Sequence, residues 1–172
     1  MDFLLNGFTE AFNLLLNGNL ETYSAIKATL YTSSVSILFA VIVGFPLGFI
    51  LGFYDFKGRK ILRLLSDTAL AMPTVAIGLI LYAFITRNGP LGSLNLLFTL
   101  KAVMLGQFVL ALPIIISLTA SVVENMEKKH YLTILNLRLA PAKLVCCVLY
   151  ELRYALMVVI ATAYGRIVAE VG

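Results

Sequence analysis

Tryptophan is absent from this 172-residue chain, histidine occurs once, and cysteine occurs only as an adjacent pair, Cys146 and Cys147. Each scarcity excludes something. Neighbouring cysteines are poorly placed to bridge one another, so they read as buried apolar side chains without a redox role. His130 has no second imidazole with which to share a metal, and no His-Glu-x-x-His pair exists. There is no Gly-x-x-x-x-Gly-Lys-[Ser/Thr] loop to cradle a nucleotide and no Gly-x-Ser-x-Gly elbow to present a nucleophile. Catalytic residues, metal ligands and a resident cofactor are therefore not expected. Charge is scarce too. Only 13% of residues are charged against 60% apolar, and the mean hydropathy is positive. That composition belongs to an integral membrane protein rather than a soluble domain. The net charge of +4 would suggest nucleic acid in a soluble chain. Here the basic residues stand beside apolar runs, where they set orientation, and no nucleic-acid partner is expected. The Met-Asp-Phe start lacks a basic n-region, so no cleaved signal peptide is indicated.

What is present is a series of long apolar runs. Residues 1–22 are apolar but broken by Asn6, Gly7, Asn13, Asn17, Gly18 and Asn19. Too short on apolar residues for a full span, they suggest an interfacial elbow helix, with a buried half-span as the alternative. Residues 30–53 carry no charge and are long enough to cross a bilayer. Their second half places Gly44, Gly48 and Gly52 four apart around Pro46. Such glycines let a neighbouring backbone approach, either as ordinary helix packing or as part of a bent helix beside a pathway. Residues 68–86 and 102–123 read as the second and third spans, and 154–168 as a fourth. The loop 54–63 holds Lys57, Arg59, Lys60 and Arg63, whereas the loop 87–101 has only Arg87 and Lys101 at its ends. The positive-inside rule places the first inside and the second outside. The chain divides into no obvious repeats and is treated as one domain, 1–172.

The third span leads into a second inner loop, 124–143. Leu132, Leu135 and Leu139 recur at helical spacing there, with Pro141 as the expected stop. A short amphipathic helix held at both ends by membrane spans either lies among lipid headgroups or docks into a soluble partner. Arg166 and Glu170, four apart near the end of the fourth span, are able to pair. Ionisable residues at membrane depth are pathway candidates, and Arg166 suits an oxyanion. A structural ion pair at the outer interface is the alternative. Glu151 and Arg153 read as interfacial anchors.

Several stretches, in order, resemble the membrane-spanning permease subunit of bacterial ABC importers. They include Gly44-Phe-Pro-Leu-Gly48, Phe56-Lys-Gly-Arg59, Ala71-Met-Pro-Thr-Val-Ala-Ile-Gly-Leu79, Arg87-Asn-Gly-Pro-Leu-Gly-Ser93, Gln107-Phe-Val-Leu-Ala-Leu-Pro113, Leu118-Thr-Ala120, Glu151-Leu-Arg-Tyr-Ala155 and Tyr164-Gly-Arg-Ile-Val-Ala-Glu-Val-Gly172. The likeness falls in the molybdate/sulfate/tungstate branch, nearest to tungstate permeases. It implies an all-α integral membrane fold of type I importer kind, in a bacterial inner membrane and lipid. About four spans, an elbow helix and a coupling helix are expected. It implies import of a tetrahedral oxyanion, tungstate or molybdate, by a homodimer with an external oxyanion-binding protein. An ABC ATPase subunit would bind the ATP and Mg. The inner loop would be the ATPase-coupling helix, carried by Tyr131, Leu132, Thr133, Ile134, Leu135 and Arg138. The family pattern of Glu-Ala-Ala, three residues, then Gly falls on Leu132, Thr133, Ile134 and Arg138, a departure. Related permeases continue past Glu-Val-Gly with another span, so the chain is expected to be C-terminally truncated. A sulfate or other anion permease, a non-functional truncated permease and a small helical membrane scaffold are the alternatives.

Overall fold

The computed structural model describes Gly7, Thr9, Asn136 and residues 19–126 and 140–171. These hold helices and no strand. The coupling-helix residues 131–135 and 138 lie outside the described residues, as does the proposed elbow helix over residues 1–22 apart from Gly7, Thr9 and residues 19–22.

Helix α1, Leu20–Phe53, is longer than the sequence suggested because it begins ten residues earlier. The Asn19 side chain accepts from the backbone N–H of Glu21 at 2.9 Å, satisfying one of the free donors of the first turn. At 34 residues the helix is about 51 Å long, well beyond a hydrocarbon core of about 30 Å. Its partner is α4, Leu100–Glu124, capped by Thr99 Oγ1 accepting from Ala102 at 3.4 Å. These two are the helices long and apolar enough to span a membrane on their own.

Between them the chain departs from expectation. Residues 68–86 do not form one straight span. Helix α2, Arg59–Ala71, and helix α3, Thr74–Ile85, meet at 102° across Met72 and Pro73. The physical reason is local. Proline disfavours helical backbone in the residue before it, and Met72 is extended, with ψ 140°. Alone, α3 rises only about 18 Å. Gly58 opens α2 at φ 98°, a conformation that suits glycine. A 3-10 turn, Gly92–Leu94, follows α3. Gly89 packs against its end so closely that an added Cβ would lie 2.3 Å from the Ala83 carbonyl.

The chain resumes with α5, Pro141–Glu151, and α6, Arg153–Val171, which meet at 80°. Pro141 stands in the first turn of α5, where its missing N–H costs nothing. Whether it also closes the helix expected before it lies outside the described residues. The core has two parts. Ile37, Ala40, Ala111, Ile115, Ala163 and Ile167 join α1, α4 and α6. Phe49, Phe53, Val123, Leu144 and Val148 join α1, α4 and α5 at the end of the bundle that carries Lys57, Arg59, Lys60 and Arg63.

Candidate functional site

The two ends of the 124–143 stretch come together at that basic end. Val123 and Met126 on one side and Leu144 and Val148 on the other pack against Phe49 and Phe53 of α1. The phenylalanine rings stack at 4.9 Å, and Tyr54 meets Phe53 edge-on at 5.2 Å. Aromatic pairs of this geometry add about 0.5–1.5 kcal/mol to their area burial. Residues on either side of 127–139, Met126 before it and Leu144 after it, thus pack on one apolar base.

An ionic cluster overlies the base. Arg59 donates through Nε to the Leu51 carbonyl at 2.7 Å, through one terminal nitrogen to Asp55 at 2.9 Å and through the other to Glu124 at 2.7 Å. Leu51 lies in the last turn of α1, so Arg59 satisfies a carbonyl that the helix end leaves free. Arg63, one turn along α2, donates to the Ser117 carbonyl at 2.8 Å and to Ser121 Oγ. It pairs with Asp67 at 3.3 Å and stands 3.8 Å from the second Glu124 oxygen. Ser117 in turn donates to Asp67. A hollow of about 320 Å³ opens between Phe53, Asp55, Arg59, Glu124 and Met126. Sequence reasoning used Arg59 and Arg63 only to orient the chain. The readable signal was the spacing of Arg59, Arg63 and Asp67, which puts all three on one face of α2. Glu124, distant in sequence, carried none.

Within the apolar layer, Gly44, Gly48 and Gly52 all face α4. A Cβ on Gly48 would meet Thr119 Cβ at 2.7 Å and the Ile116 carbonyl at 2.8 Å, and one on Gly52 the Ala120 carbonyl at 2.7 Å. A polar latch lies further from the basic end, also unforeseen. Gln107, 4% exposed, donates to Ser33 at 3.0 Å and accepts from Ser36 at 3.1 Å. Ser36 also reaches the Met104 carbonyl at 2.9 Å.

Arg166 and Glu170 lie exposed on α6, and the ion pairs of the described residues do not include them. Arg153 stacks its guanidinium on Tyr150 at 4.5 Å and Tyr154 at 4.6 Å, at the α5–α6 bend. In the angle between α2 and α3, against α4, lies an apolar cleft of about 450 Å³ lined by residues such as Met72, Ile80, Phe84 and Pro113. The bundle of apolar spans thus carries an ionic network at its basic end. Among the described residues it has no cluster suited to holding a metal.

Comparison with known proteins agrees with this architecture. Residues 44–170 match the family described as binding-protein-dependent transport system inner membrane component. The chain is 56% identical over 172 residues to the tungstate uptake system permease protein of Campylobacter jejuni, covering all of this chain and 72% of that one. It is 31% identical over 149 residues to a probable anion ABC transporter permease protein of Haloferax volcanii, covering 87% of this chain and 64% of that one. A tungstate uptake system permease protein of Peptoclostridium acidaminophilum is 27% identical over 172 residues, with 75% of its length covered. The chain belongs to the family of binding-protein-dependent transport system inner membrane components.

Proposed function

We propose that this chain is the permease subunit of an ATP-driven importer of tungstate. The observation that carries the substrate is the 56% identity, over the whole chain, to a protein whose name specifies tungstate uptake. The subunit works as a homodimer in the cytoplasmic membrane, multi-pass, with the basic end inside and the α3–α4 connection outside. An extracytoplasmic binding protein delivers the anion. A separate ABC ATPase subunit binds ATP and Mg and hydrolyses the nucleotide, since this chain has no phosphate-cradling loop.

In this reading segment 127–139 meets the ATPase, with Tyr131, Leu132, Thr133, Ile134, Leu135 and Arg138 in contact. What supports it is that the residues on either side of it, Met126 and Leu144, pack on one base with Phe49, Phe53 and Val123. Displacement of a segment so held moves α1, α4 and α5 as a unit, because closely packed cores resist continuous deformation. Arg166, exposed on α6, offers a cation and a forked donor set to the passing oxyanion, and Glu170 beside it limits how tightly the anion is held.

Uptake in whole cells tests the reading. Cells expressing the chain with its ATPase and binding protein should accumulate radiolabelled tungstate. Unlabelled tungstate should compete best, molybdate less well and sulfate poorly. Accumulation displaced equally by sulfate would reject tungstate as the substrate. No accumulation and no co-purifying ATPase would reject the permease.

A further inference from the structure

We propose that Arg59 and Arg63, meeting on Glu124, are positioning residues that carry displacement of the 127–139 segment into α2 and on to the bend at Pro73. The inference rests on the permease reading and adds to it the route by which force reaches the broken helix.

Three observations converge. First, α2 has no buried residue, so packing alone holds it weakly. Leu70 packs against the core near its far end, but at its near end the grip on the rest of the chain is polar and comes from one face. Arg63 holds the Ser117 carbonyl, Ser121 Oγ and Glu124, all in the final two turns of α4, while Arg59 holds Glu124 and the Leu51 carbonyl of α1. Second, Glu124 is the last residue of α4 and stands three residues before segment 127–139. A pull on that segment reaches Glu124 first, and both arginines follow it. Third, the far end of α2 is free to respond. Pro73 has no N–H to bond, α2 and α3 meet there at 102°, and the angle between them encloses the apolar cleft of about 450 Å³. Changing that angle breaks no helical hydrogen bond across the joint and has room in which to occur.

The partial exposure of these ion pairs separates their two possible roles. The side chains of Arg59, Arg63 and Glu124 are 25%, 20% and 33% exposed. Pairs so wetted add little stability, but forked guanidinium bonds fix direction closely. Losing them should therefore disturb movement far more than folding.

The complex with its ATPase and binding protein, in proteoliposomes supplied with radiolabelled tungstate, provides the test. Glu124→Ala and Arg63→Ala should still insert and co-purify with the ATPase, yet tungstate taken up per ATP hydrolysed should fall about tenfold. Glu124→Gln, which keeps an acceptor oxygen for Arg59, should lie between them and wild type. A second readout uses spin labels on exposed sites in a chain carrying Cys146→Ser and Cys147→Ser. Between nucleotide-free and ATP-bound states, the Lys60→Cys to Asn125→Cys separation should stay constant while Lys60→Cys to Tyr82→Cys, across the bend, changes. Unaltered uptake per ATP in both alanine variants overturns the inference. So does loss of insertion together with uptake, or a changing Lys60–Asn125 separation. If the wild-type complex itself shows no ATP-dependent uptake, the permease reading fails and this inference falls with it.

Discussion

Replacing Gly48 by alanine adds a single methyl group where α1 and α4 cross closely. That methyl would sit 2.7 Å from Thr119 Cβ and 2.8 Å from the Ile116 carbonyl oxygen. Both neighbours are fixed, one by its own backbone bond and the other as backbone itself. Ordinary contact begins near 3.4 Å, so α1 and α4 must separate by about 0.7 Å, which forfeits dispersion along the whole crossing. Overpacking of this kind costs about 1–3 kcal/mol. Glycine-to-alanine replacement in a helix returns about 0.5–1 kcal/mol, leaving a net loss of about 1–2 kcal/mol. Gly165 is the control, because nothing lies within 4 Å of its added Cβ, so Gly165→Ala should be neutral or stabilising. Unfolding by sodium dodecyl sulfate titration in mixed micelles, followed by circular dichroism, measures both. Gly44→Ala should rank between them, since its nearest contact is the Ile115 side chain rather than backbone. A Gly48→Ala chain unfolding at the same midpoint as Gly165→Ala would refute the close crossing.

Gln107→Leu should cost about 1 kcal/mol in the same titration, because it orphans Ser33. Adding Ser33→Ala and Ser36→Ala should recover most of that loss, since removing all partners together leaves nothing unpaired. With Cys146→Ser and Cys147→Ser in place, membrane-impermeant maleimide should label Lys57→Cys only in inverted vesicles and Arg87→Cys only in intact cells. The opposite pattern would reverse the orientation. Arg166→Gln should lower tungstate uptake about tenfold or more without changing membrane level or ATPase binding, a guanidinium–oxyanion contact being worth about 1.5–3 kcal/mol. Unchanged uptake kinetics would remove Arg166 from the pathway.

How much of this was readable in advance depended on whether the deciding contact was local. The uncharged runs that became α1 and α4 announced themselves, since bilayer insertion depends on apolar length and little else. The basic residues 57–63 were equally plain, but their use was not. Arg59 and Arg63 bind groups on α1 and α4, and no property of residues 54–63 alone points to Glu124. Proline was the residue most open to misreading. Pro46 and Pro113 lie within continuous helices, Pro73 breaks a span and Pro141 starts one. The difference lies in what precedes each. Pro113 follows a long unbroken apolar stretch of α4, whereas the residues before Pro73 belong to the amphipathic α2, which meets α3 at 102°. Ser33, Ser36 and Gln107 were passed over because each is unremarkable in its own run. Only the α1–α4 crossing brings them together.

The most direct measurement is uptake of radiolabelled tungstate into proteoliposomes containing this chain, its ATPase and its binding protein, with and without ATP inside. Uptake that needs both ATP and the binding protein is the predicted result. Uptake that proceeds equally without ATP, or none above protein-free liposomes, would contradict it.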